Sequence, residues 1–362
     1  MATIGFIGLG NMGAPMCRRL VAAGHEVRVF DAEPHKIDAA IGYGAAGSTT
    51  AAGCARDVEF LLTSLPRPDH VQAVLRGAGV LAELRPGAIW VDLTTNRKEL
   101  LEELAAEAPE GVGVVDSPVT GAVDGARNGR LTLFTGGDPA HLERVMPALQ
   151  TLGTVIRCGG LGTGNVTKLV TNQLWFIAAA AIGEGFALGM RHGVDLAVLY
   201  AAIRQSVGDS FVARHDAPSI FAGHYDPSFT LDLCGKDLRL IGELQAGLTA
   251  DLPLTVAARH AFDRAARRYG TDAAELHVAK HIEDDTGLSF RLPGDWTPPG
   301  TSPTPEHDRA AARAADLRPG QRSAQAGVNA RAYLAPGRAG RPEACRRGMG
   351  SGSAGRGSPR WR

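Results

Sequence analysis

Apolar residues follow two different periods in the two halves of the chain. In the first half, short apolar runs alternate with segments in which apolar residues recur every three or four positions. Such runs are typical of buried strands, and the intervening period is typical of helices. The runs cover 3–7, 27–30, 58–65, 88–93, 112–115, 131–135 and 154–158. These repeated strand–helix units predict an α/β fold with a doubly wound parallel sheet, whose ligands lie beyond the carboxyl ends of the strands.

The second half of the chain, 165–291, has a helical period almost throughout. Its first helix, predicted over about 165–192, is long and too apolar to stand in water. We therefore expect a helix packed on all sides, in part by a second subunit. Glu184 and several glycines interrupt its longest apolar run, which favours a buried helix over a membrane span.

These patterns predict three segments. We expect an α/β domain at 1–162, an all-helical substrate and dimerisation domain at 163–292, and a disordered Arg/Gly/Pro/Ala-rich extension at 293–362, which is too poor in apolar residues to order itself. Residues 301–362 carry a balance of +8 and the rest of the chain −8, which together give the formal net charge of zero. An acidic body argues against nucleic acid as the main partner.

A glycine-rich loop follows the first predicted strand. Its glycines have the spacing G-x-G-x-x-G, and Asp31 ends the next strand. This is the dinucleotide-binding fingerprint, in which the glycines allow a tight turn, the approach of a pyrophosphate and close helix packing. Asp31 would bond a ribose 2′-hydroxyl and repel a 2′-phosphate, so we predict NAD over NADP. We therefore interpret 1–162 as a Rossmann-like NAD-binding domain. The predicted cofactor-binding residues of the loop are Gly8, Leu9, Gly10, Asn11, Met12 and Gly13.

Further candidate contacts stand at the ends of later strands. Leu65, Pro66 and Thr95 fall at such ends, although turn formation or helix capping explains each of them equally well. The segment 116–129, rich in small and hydroxylated residues, follows another strand. It could offer N–H and O–H donors to a carboxylate, or it could be an ordinary glycine-rich loop.

A second glycine-rich segment, 159–164, joins the two halves and leads into the long helix. We expect Thr163 or Asn165 to cap this helix. Lys168 and Asn172 are four residues apart and would share one helical face. A lysine and an amide at a domain junction could hold a small polar substrate, although a solvated lysine and a capping amide would give the same pattern.

Lysine is rare in this chain, with five lysines against 33 arginines. A turn-rich break at 223–232 precedes a helix predicted from Gly235, which would place Lys236 near the helix N-terminus. A cation there opposes the helix dipole, which favours its retention for a ligand.

The five cysteines are widely separated, and no two of them form a C-x-x-C pair. We therefore expect no metal site and no disulfide framework, and a reducing cytoplasm. The first residues lack a basic-then-apolar pattern, so we also expect no leader peptide.

Four motifs of this chain resemble those of the 3-hydroxyisobutyrate dehydrogenase family of β-hydroxyacid dehydrogenases, which is related to the 6-phosphogluconate dehydrogenases. The resemblance covers about residues 3–290 and keeps the family order. It implies an NAD-dependent oxidoreductase that interconverts a short 3-hydroxy acid and its semialdehyde, as a homodimer or homotetramer. The motifs are Gly8-Leu-Gly-Asn-Met-Gly-Ala-Pro-Met16, Asp116-Ser-Pro-Val-Thr-Gly-Ala-Val-Asp-Gly-Ala126, Gly162-Thr-Gly-Asn-Val-Thr-Lys-Leu-Val-Thr-Asn172 and Lys236-Asp-Leu.

The resemblance also implies residue roles. Lys168 would be the catalytic acid/base, and Asn172 would help to orient the substrate. The substrate-binding residues would be Ser117, Thr120, Gly121, Ala122 and Asn172, with the carboxylate on Thr120 and Gly121. Further cofactor contacts would be Leu65, Pro66, Thr95 and Lys236. Two positions depart from the family pattern: Ala122 replaces a glycine and Ser117 stands where alanine is common, so the substrate need not be 3-hydroxyisobutyrate.

Other interpretations remain open. Reduction of 2-hydroxy-3-oxopropionate (tartronate semialdehyde) or of succinic semialdehyde fits the same motifs. The 6-phosphogluconate dehydrogenases have histidine where this chain has Thr171, and imine reductases replace the lysine and usually have an Asn-Arg pair where Asp31 stands. A non-catalytic nucleotide-binding scaffold with a basic tail belongs to another class, and the presence of Lys168 argues against it.

Overall fold

The sheet follows from the short apolar runs of the first half. The computed structural model describes residues 1–294 and Trp296, and the rest of the predicted extension lies outside them. Within these residues the strands are β1 (Thr3–Ile7), β2 (Glu26–Phe30), β3 (Ala46–Gly47), β4 (Phe60–Thr63), β5 (Ile89–Asp92), β6 (Gly113–Asp116), β7 (Val119–Thr120), β8 (Leu131–Gly137) and β9 (Gly153–Gly159).

Helices cover both faces of this sheet and then build the second half. They are α1 (Gly13–Ala22), α2 (Pro34–Ile41), α3 (Ala51–Ala55), α4 (Pro68–Gln72), α5 (Lys98–Glu107), α6 (Ala122–Asn128), α7 (Pro139–Gln150), α8 (Thr163–Arg191), α9 (Leu196–Arg204), α10 (Ala217–Ala222), α11 (Leu231–Gln245), α12 (Pro253–Tyr269) and α13 (His277–Thr286).

The strand order is β3-β2-β1-β4-β5-β6-β8-β7, with β9 paired to β8. The six strands from β3 to β6 in this order are parallel, whereas β8 runs antiparallel to β6 and β7. The predicted fold class is confirmed, with this antiparallel turn as an addition that strand periodicity cannot reveal. The carboxyl ends of the parallel strands therefore share one edge, where ligands of such sheets bind.

Side chains on the two faces of the sheet belong to two different hydrophobic cores. Phe6 and Val91 face a core that includes Met16 and Leu20 of α1, whereas Trp90, one residue from Val91, faces the opposite core. Successive strand residues point to opposite faces, so a continuous apolar run serves both layers.

The helical half packs around α8, whose predicted extent is confirmed. Phe176 and Phe186 of α8 are fully buried and lie against a core that includes Phe221 and Phe262. By length and composition α8 could also cross a membrane, since its most apolar window has a mean hydropathy of 1.3 and is 28% buried. Its ring contacts, such as that between Phe176 and Phe262 at 5.1 Å, are those of a core helix.

The start of α8 differs from the prediction. Neither Thr163 nor Asn165 caps the helix, because Gly162 occupies the cap position in the left-handed region at φ 84°. The carboxylate of Asp116 fulfils this role, accepting the backbone N–H of Gly162 and of Asn165 at 2.7 Å each. A Cβ on Gly164 would stand 2.1 Å from the carbonyl oxygen of Phe134, so only glycine lets α8 approach β8 this closely.

Two other elements also differ from the sequence analysis. The helix that carries Lys236 begins at Leu231, where Thr230 accepts the backbone N–H of Leu233. The prediction that Lys236 lies at a helix N-terminus is wrong, because the threonine cap starts the helix four residues before Gly235. Part of the segment 116–129, which we expected to be a loop, forms the helix α6. Its glycine-rich composition is typical of loops and does not indicate a helix.

We predict that Asp116→Ala destabilises the fold by about 2–4 kcal/mol, because two buried N–H groups lose their acceptor. Asp138→Ala is the matched control, since Asp138 caps the exposed start of α7 through Ala140 and such a cap contributes about 1 kcal/mol. Denaturant unfolding of both variants measures the difference. Equal losses in the two variants would contradict the role given to Asp116.

Candidate active site

The glycine loop lies between β1 and α1 and has the geometry that a dinucleotide needs. Gly8 adopts φ 99°, and a Cβ on Gly13 would stand 1.9 Å from the carbonyl oxygen of Gly8. The turn and the helix start are therefore packed too closely for a side chain. Above Gly10, in contrast, no atom lies within 4 Å of where a Cβ would be. This open space at a helix N-terminus fits a pyrophosphate group.

Asp31 stands at the end of β2, beside the same loop. Its Oδ2 accepts the backbone N–H of Leu9 at 2.6 Å, and its Oδ1 accepts that of Glu33 at 2.9 Å. Lys36 Nζ lies 4.0 Å from Oδ1. Since each carboxylate oxygen can accept two hydrogen bonds, the side chain is held in place and retains capacity for the hydroxyls of a ribose.

A buried polar network ties the ends of β4 and β5 to α8. Asp92 accepts the backbone N–H of Thr94 at 3.1 Å and Nδ2 of Asn96 at 2.9 Å. The backbone N–H of Asn96 donates to Oδ1 of Asn165 at 2.6 Å, and that of Leu65 donates to Oγ1 of Thr94 at 3.0 Å. A satisfied buried network has little freedom to rearrange, so the positions of the strand ends and the helix are coupled.

Lys168 lies in the second turn of α8 and is buried, with 9% of its surface exposed. Burial lowers the pKa of its ammonium from 10.5 to about 8, while Asp237 raises it and Lys236 lowers it further. Desolvation disfavours the charged form and therefore has the largest effect. The amine can thus gain or lose a proton at a pH close to neutral.

Asn172, one turn beyond Lys168, connects to α11. Its Nδ2 donates to Oδ2 of Asp237 at 2.7 Å. The other oxygen of this carboxylate, Oδ1, lies 2.8 Å from Nζ of Lys236, and the same Nζ lies 3.5 Å from the carbonyl oxygen of Thr95. The structure therefore brings together the predicted residues Asn172, Lys236 and Thr95 through Asp237.

The segment with the predicted carboxylate-binding residues lies at the antiparallel side of the sheet. Ser117 is fully buried, and its hydroxyl is 3.1 Å from that of Thr135, so it points into the sheet. Thr120 pairs with β8, and Gly121 and Ala122 are exposed at the start of α6. Within residues 1–294, no hydrogen bond joins positions 120–122 to Lys168 or Asn172.

Ala122 has a strained backbone. Its φ is 54°, in the left-handed region, and it follows Gly121 at φ 124°. A residue with a Cβ is disfavoured there by about 1–2 kcal/mol. This is the position at which the sequence departs from the Gly-Gly of the resembling family. Ala122 therefore keeps the left-handed conformation that a glycine would adopt easily, although it has a Cβ.

Two family models match the chain. One, described as the NAD binding domain of 6-phosphogluconate dehydrogenase, matches residues 3–160. The other, described as NAD-binding of NADP-dependent 3-hydroxyisobutyrate dehydrogenase, matches residues 162–282. A 3-hydroxyisobutyrate dehydrogenase of Pseudomonas aeruginosa is 34% identical over 272 residues, which are 72% of this chain and 91% of that protein. The chain belongs to the 3-hydroxyisobutyrate dehydrogenase family.

Other members agree with this assignment. The NAD-dependent L-serine dehydrogenase of P. aeruginosa is 30% identical over 298 residues, which are 79% of this chain and 99% of that protein. A solved 3-hydroxyisobutyrate dehydrogenase of Mycobacterium tuberculosis with L-serine matches with a TM-score of 0.73 and 31% identity, over 78% of this chain and 99% of that one. The predicted family, the enzyme class and NAD as cofactor are confirmed: this is an NAD-dependent hydroxyacid dehydrogenase.

Sequence analysis gave no role in the active site to three buried residues of this chain. Asp237 follows Lys236 directly in the matched motif, but the motif does not predict its hydrogen bond to Asn172. Asp116 begins the loop motif, and Asn165 was expected only as a cap. Each of them contacts a residue more than 45 positions away in sequence, which local patterns do not report.

We predict that the unmodified enzyme prefers NAD to NADP by about 10- to 1,000-fold in kcat/KM, since Asp31 would bond a ribose hydroxyl and repel a phosphate. Asp31→Asn should narrow this preference, because it keeps an acceptor for Leu9 and removes the charge. Asp38→Asn, on the exposed face of α2, is the matched control. Steady-state rates with both cofactors test this, and equal use of them by the unmodified enzyme would contradict it.

Proposed function

We propose that this enzyme interconverts a short 3-hydroxy acid and its semialdehyde, as a 3-hydroxyisobutyrate dehydrogenase does, with Lys168 as general acid/base. The observation that carries the proposal is the burial of Lys168, whose pKa is lowered to about 8. It lies where the strand ends of the sheet meet the helical half. A group that titrates near the working pH is an efficient acid and base in the two directions of one reaction.

The residues around Lys168 have complementary tasks in this proposal. When bound, NAD supplies the hydride acceptor at its nicotinamide ring. In oxidation, the neutral amine of Lys168 takes the proton of the substrate hydroxyl. In reduction, the ammonium donates a proton to the carbonyl oxygen and stabilises the negative charge that develops there.

Asn172 orients the reacting oxygen of the substrate. Its Nδ2 donates one hydrogen bond to Asp237, and its Oδ1 and second N–H would contact the substrate. The backbone N–H groups of Gly121 and Ala122 and the hydroxyl of Thr120 would bind the carboxylate. Such donors suit a carboxylate because hydrogen bonds to a charged acceptor are stronger than neutral ones.

The substrate class is short 3-hydroxy acids. Two relatives are a 3-hydroxyisobutyrate dehydrogenase and an L-serine dehydrogenase, and both of these substrates have a hydroxyl on the carbon beta to a carboxylate. Because Ala122 narrows the loop relative to glycine, we expect small substituents near the carboxylate to be favoured. We also infer that the enzyme acts in the cytoplasm, where the four described cysteines, which are free, would stay reduced.

We further propose that a second copy of the chain covers one face of α8. Val170, Leu174 and Leu188 of this helix are 46%, 64% and 65% exposed, although the helix is too apolar for water. An apolar stripe of this kind indicates a contact between subunits. The assembly would then be a homodimer, or a homotetramer built from such dimers.

We predict that Lys168→Ala lowers turnover by about 100- to 10,000-fold, the contribution of a positioned acid/base, with NAD affinity nearly unchanged. In the unmodified enzyme, oxidation should accelerate as pH rises through about 8, because the base is the neutral amine, and reduction should slow over the same range. Lys168→Arg should restore little activity, since a guanidinium keeps its proton.

The measurement is NADH absorbance with a panel of 3-hydroxy acids and semialdehydes, including tartronate and succinic semialdehydes. Lys280→Ala is the control, because Lys280 pairs with Asp284 on the surface of α13. A Lys168→Ala enzyme that keeps more than a tenth of the original turnover would disprove the assignment. Turnover of none of these compounds would argue against the proposed substrate class.

For the subunit contact, we expect Leu174→Glu to shift the protein toward the monomer, since a carboxylate would be buried in an apolar interface. Val207→Glu, at a fully exposed position of the same half, is the control that should leave the assembly intact. Light scattering gives the mass of each form. A monomeric unmodified protein would contradict the proposal.

A further inference from the structure

The segment 94–96, which follows β5, connects residues that we predict to contact the cofactor. Oγ1 of Thr94 accepts the backbone N–H of Leu65 at 3.0 Å, and the carbonyl oxygen of Thr95 lies 3.5 Å from Nζ of Lys236. The segment stands beyond the carboxyl end of a parallel strand, where the dinucleotides of such sheets bind. A displacement of its backbone would therefore move several of the groups predicted to face the cofactor.

Asn165 joins this segment to the helix that carries Lys168. The backbone N–H of Asn96 donates to Oδ1 of Asn165 at 2.6 Å, and Nδ2 of Asn165 donates to Oδ2 of Asp116 at 3.2 Å. Asn165 is fully buried and stands three residues before Lys168, which is about one turn of α8. One amide side chain therefore links the cofactor side of the site to the turn before the proposed acid/base.

Asp116 does not replace this link. Its carboxylate accepts the backbone N–H groups of Gly162 and Asn165, so it ties the start of α8 to β6. Within the part of the chain that the structure describes, the bond between Asn96 and Asn165 is the one hydrogen bond between 94–96 and α8. Because a buried N–H without an acceptor is unfavourable, loss of the Asn165 amide would leave the segment or the helix to shift.

Hydride transfer is sensitive to a shift of this kind. The reacting atoms must approach to about 3–3.5 Å, and a misplacement of about 1 Å can slow a reaction by about 100-fold. In the proposed function, the substrate oxygen is held by Lys168, and the nicotinamide lies beside the strand ends. The distance between the two reactants then depends on what joins these two parts of the enzyme.

We propose that Asn165 is a positioning residue for hydride transfer, whose side chain holds the segment 94–96 and Lys168 at the separation that the reaction needs. Asn165 acts through these two groups and not by contact with the reacting atoms. The kinetic role rests on the proposed function, whereas the link between the segment and α8 rests on the hydrogen bond alone.

Single-turnover kinetics test this role. The full-length enzyme is mixed rapidly with NAD and with 3-hydroxyisobutyrate or L-serine, and NADH absorbance gives the rate of hydride transfer. Asn165→Ala should lower this rate by about 10- to 100-fold, because the reactants are displaced. The dissociation constant of NAD should stay within about threefold, since the glycine loop and Asp31 are unchanged.

The pH profile separates positioning from a loosened fold. If Asn165→Ala only loosened the packing, water would reach Lys168 and its pKa would rise. We expect the midpoint of the pH profile to stay near the pKa of about 8 that burial gives Lys168, with a lower rate at every pH. The charged groups that face Lys168 are Asp237 and Lys236 of α11, and the substitution leaves both in place.

Thr63→Val is the matched control. Thr63 is fully buried in the same polar network, where its hydroxyl donates to Oδ1 of Asp92 and accepts Nε1 of Trp90, both at 2.9 Å. These contacts lie within the sheet, so the loss of this hydroxyl should slow hydride transfer by less than about threefold. If Asn165→Ala does not fold, Asn165→Ser replaces it, since its shorter side chain withdraws the acceptor from Asn96 but keeps a polar group.

Amide hydrogen exchange, measured by NMR without substrate, tests the link itself. In Asn165→Ala the amide of Asn96 should exchange at least about tenfold faster, the change expected when one hydrogen bond is lost. The amide of Leu93, which donates to the carbonyl oxygen of Thr63 at 2.8 Å, should keep its protection in the same variant. Such a local change shows the loss of one bond and not a general opening of the sheet.

The proposal is overturned if the Asn165 variant transfers hydride within about threefold of the unmodified rate, or if Thr63→Val slows the transfer as much. A pKa of Lys168 that rises in the variant, or an Asn96 amide that stays protected, would overturn it as well. An enzyme that turned over no 3-hydroxy acid would contradict the proposed function, and hydrogen exchange would still decide whether Asn165 links the segment to α8.

Discussion

The position of α8 depends on one buried carboxylate. Asp116 ends β6 and bonds the backbone N–H groups of Gly162 and Asn165 at the start of the helix. The negative charge also faces the positive end of the helix dipole. Burial raises the pKa of this carboxyl to about 6, although the same N–H groups counteract the rise. The sheet is thereby joined to the helix that carries Lys168, and the active-site geometry depends on that junction.

Burial also lowers the pKa of Lys168. A lysine in water holds its proton at neutral pH, whereas the same side chain within α8 has a pKa of about 8. The neighbours have opposing effects, because Asp237 favours the charged form and Lys236 the neutral one. Asp237 also fixes Asn172. One carboxylate therefore raises the pKa of Lys168, the proposed acid/base group, and also accepts a hydrogen bond from Asn172.

The segment that we propose for the substrate carboxylate is constrained by its backbone. Thr120 pairs with β8, and Ala122 is held at φ 54°, a conformation that favours glycine. If this segment binds the carboxylate as proposed, selection among substrates would arise from the shape of this loop.

The sequence alone determined the fold class and the cofactor loop, because each is encoded in residues close together along the chain: alternating apolar runs, and the spacing of Gly8, Gly10 and Gly13. The choice of Lys168 as the candidate acid/base came from the resemblance of its motif to the family, since a lysine and an amide four residues apart are explained equally well by a solvated face. Only the tertiary structure decided how α8 begins, where the helix of Lys236 starts and what Asp237 contacts. These depend on hydrogen bonds between residues 46 to 69 positions apart or on competing caps. Periodicity and spacing predict structure only among residues that are close in sequence, whereas the hydrogen-bond partner of a buried polar group depends on how distant segments pack together.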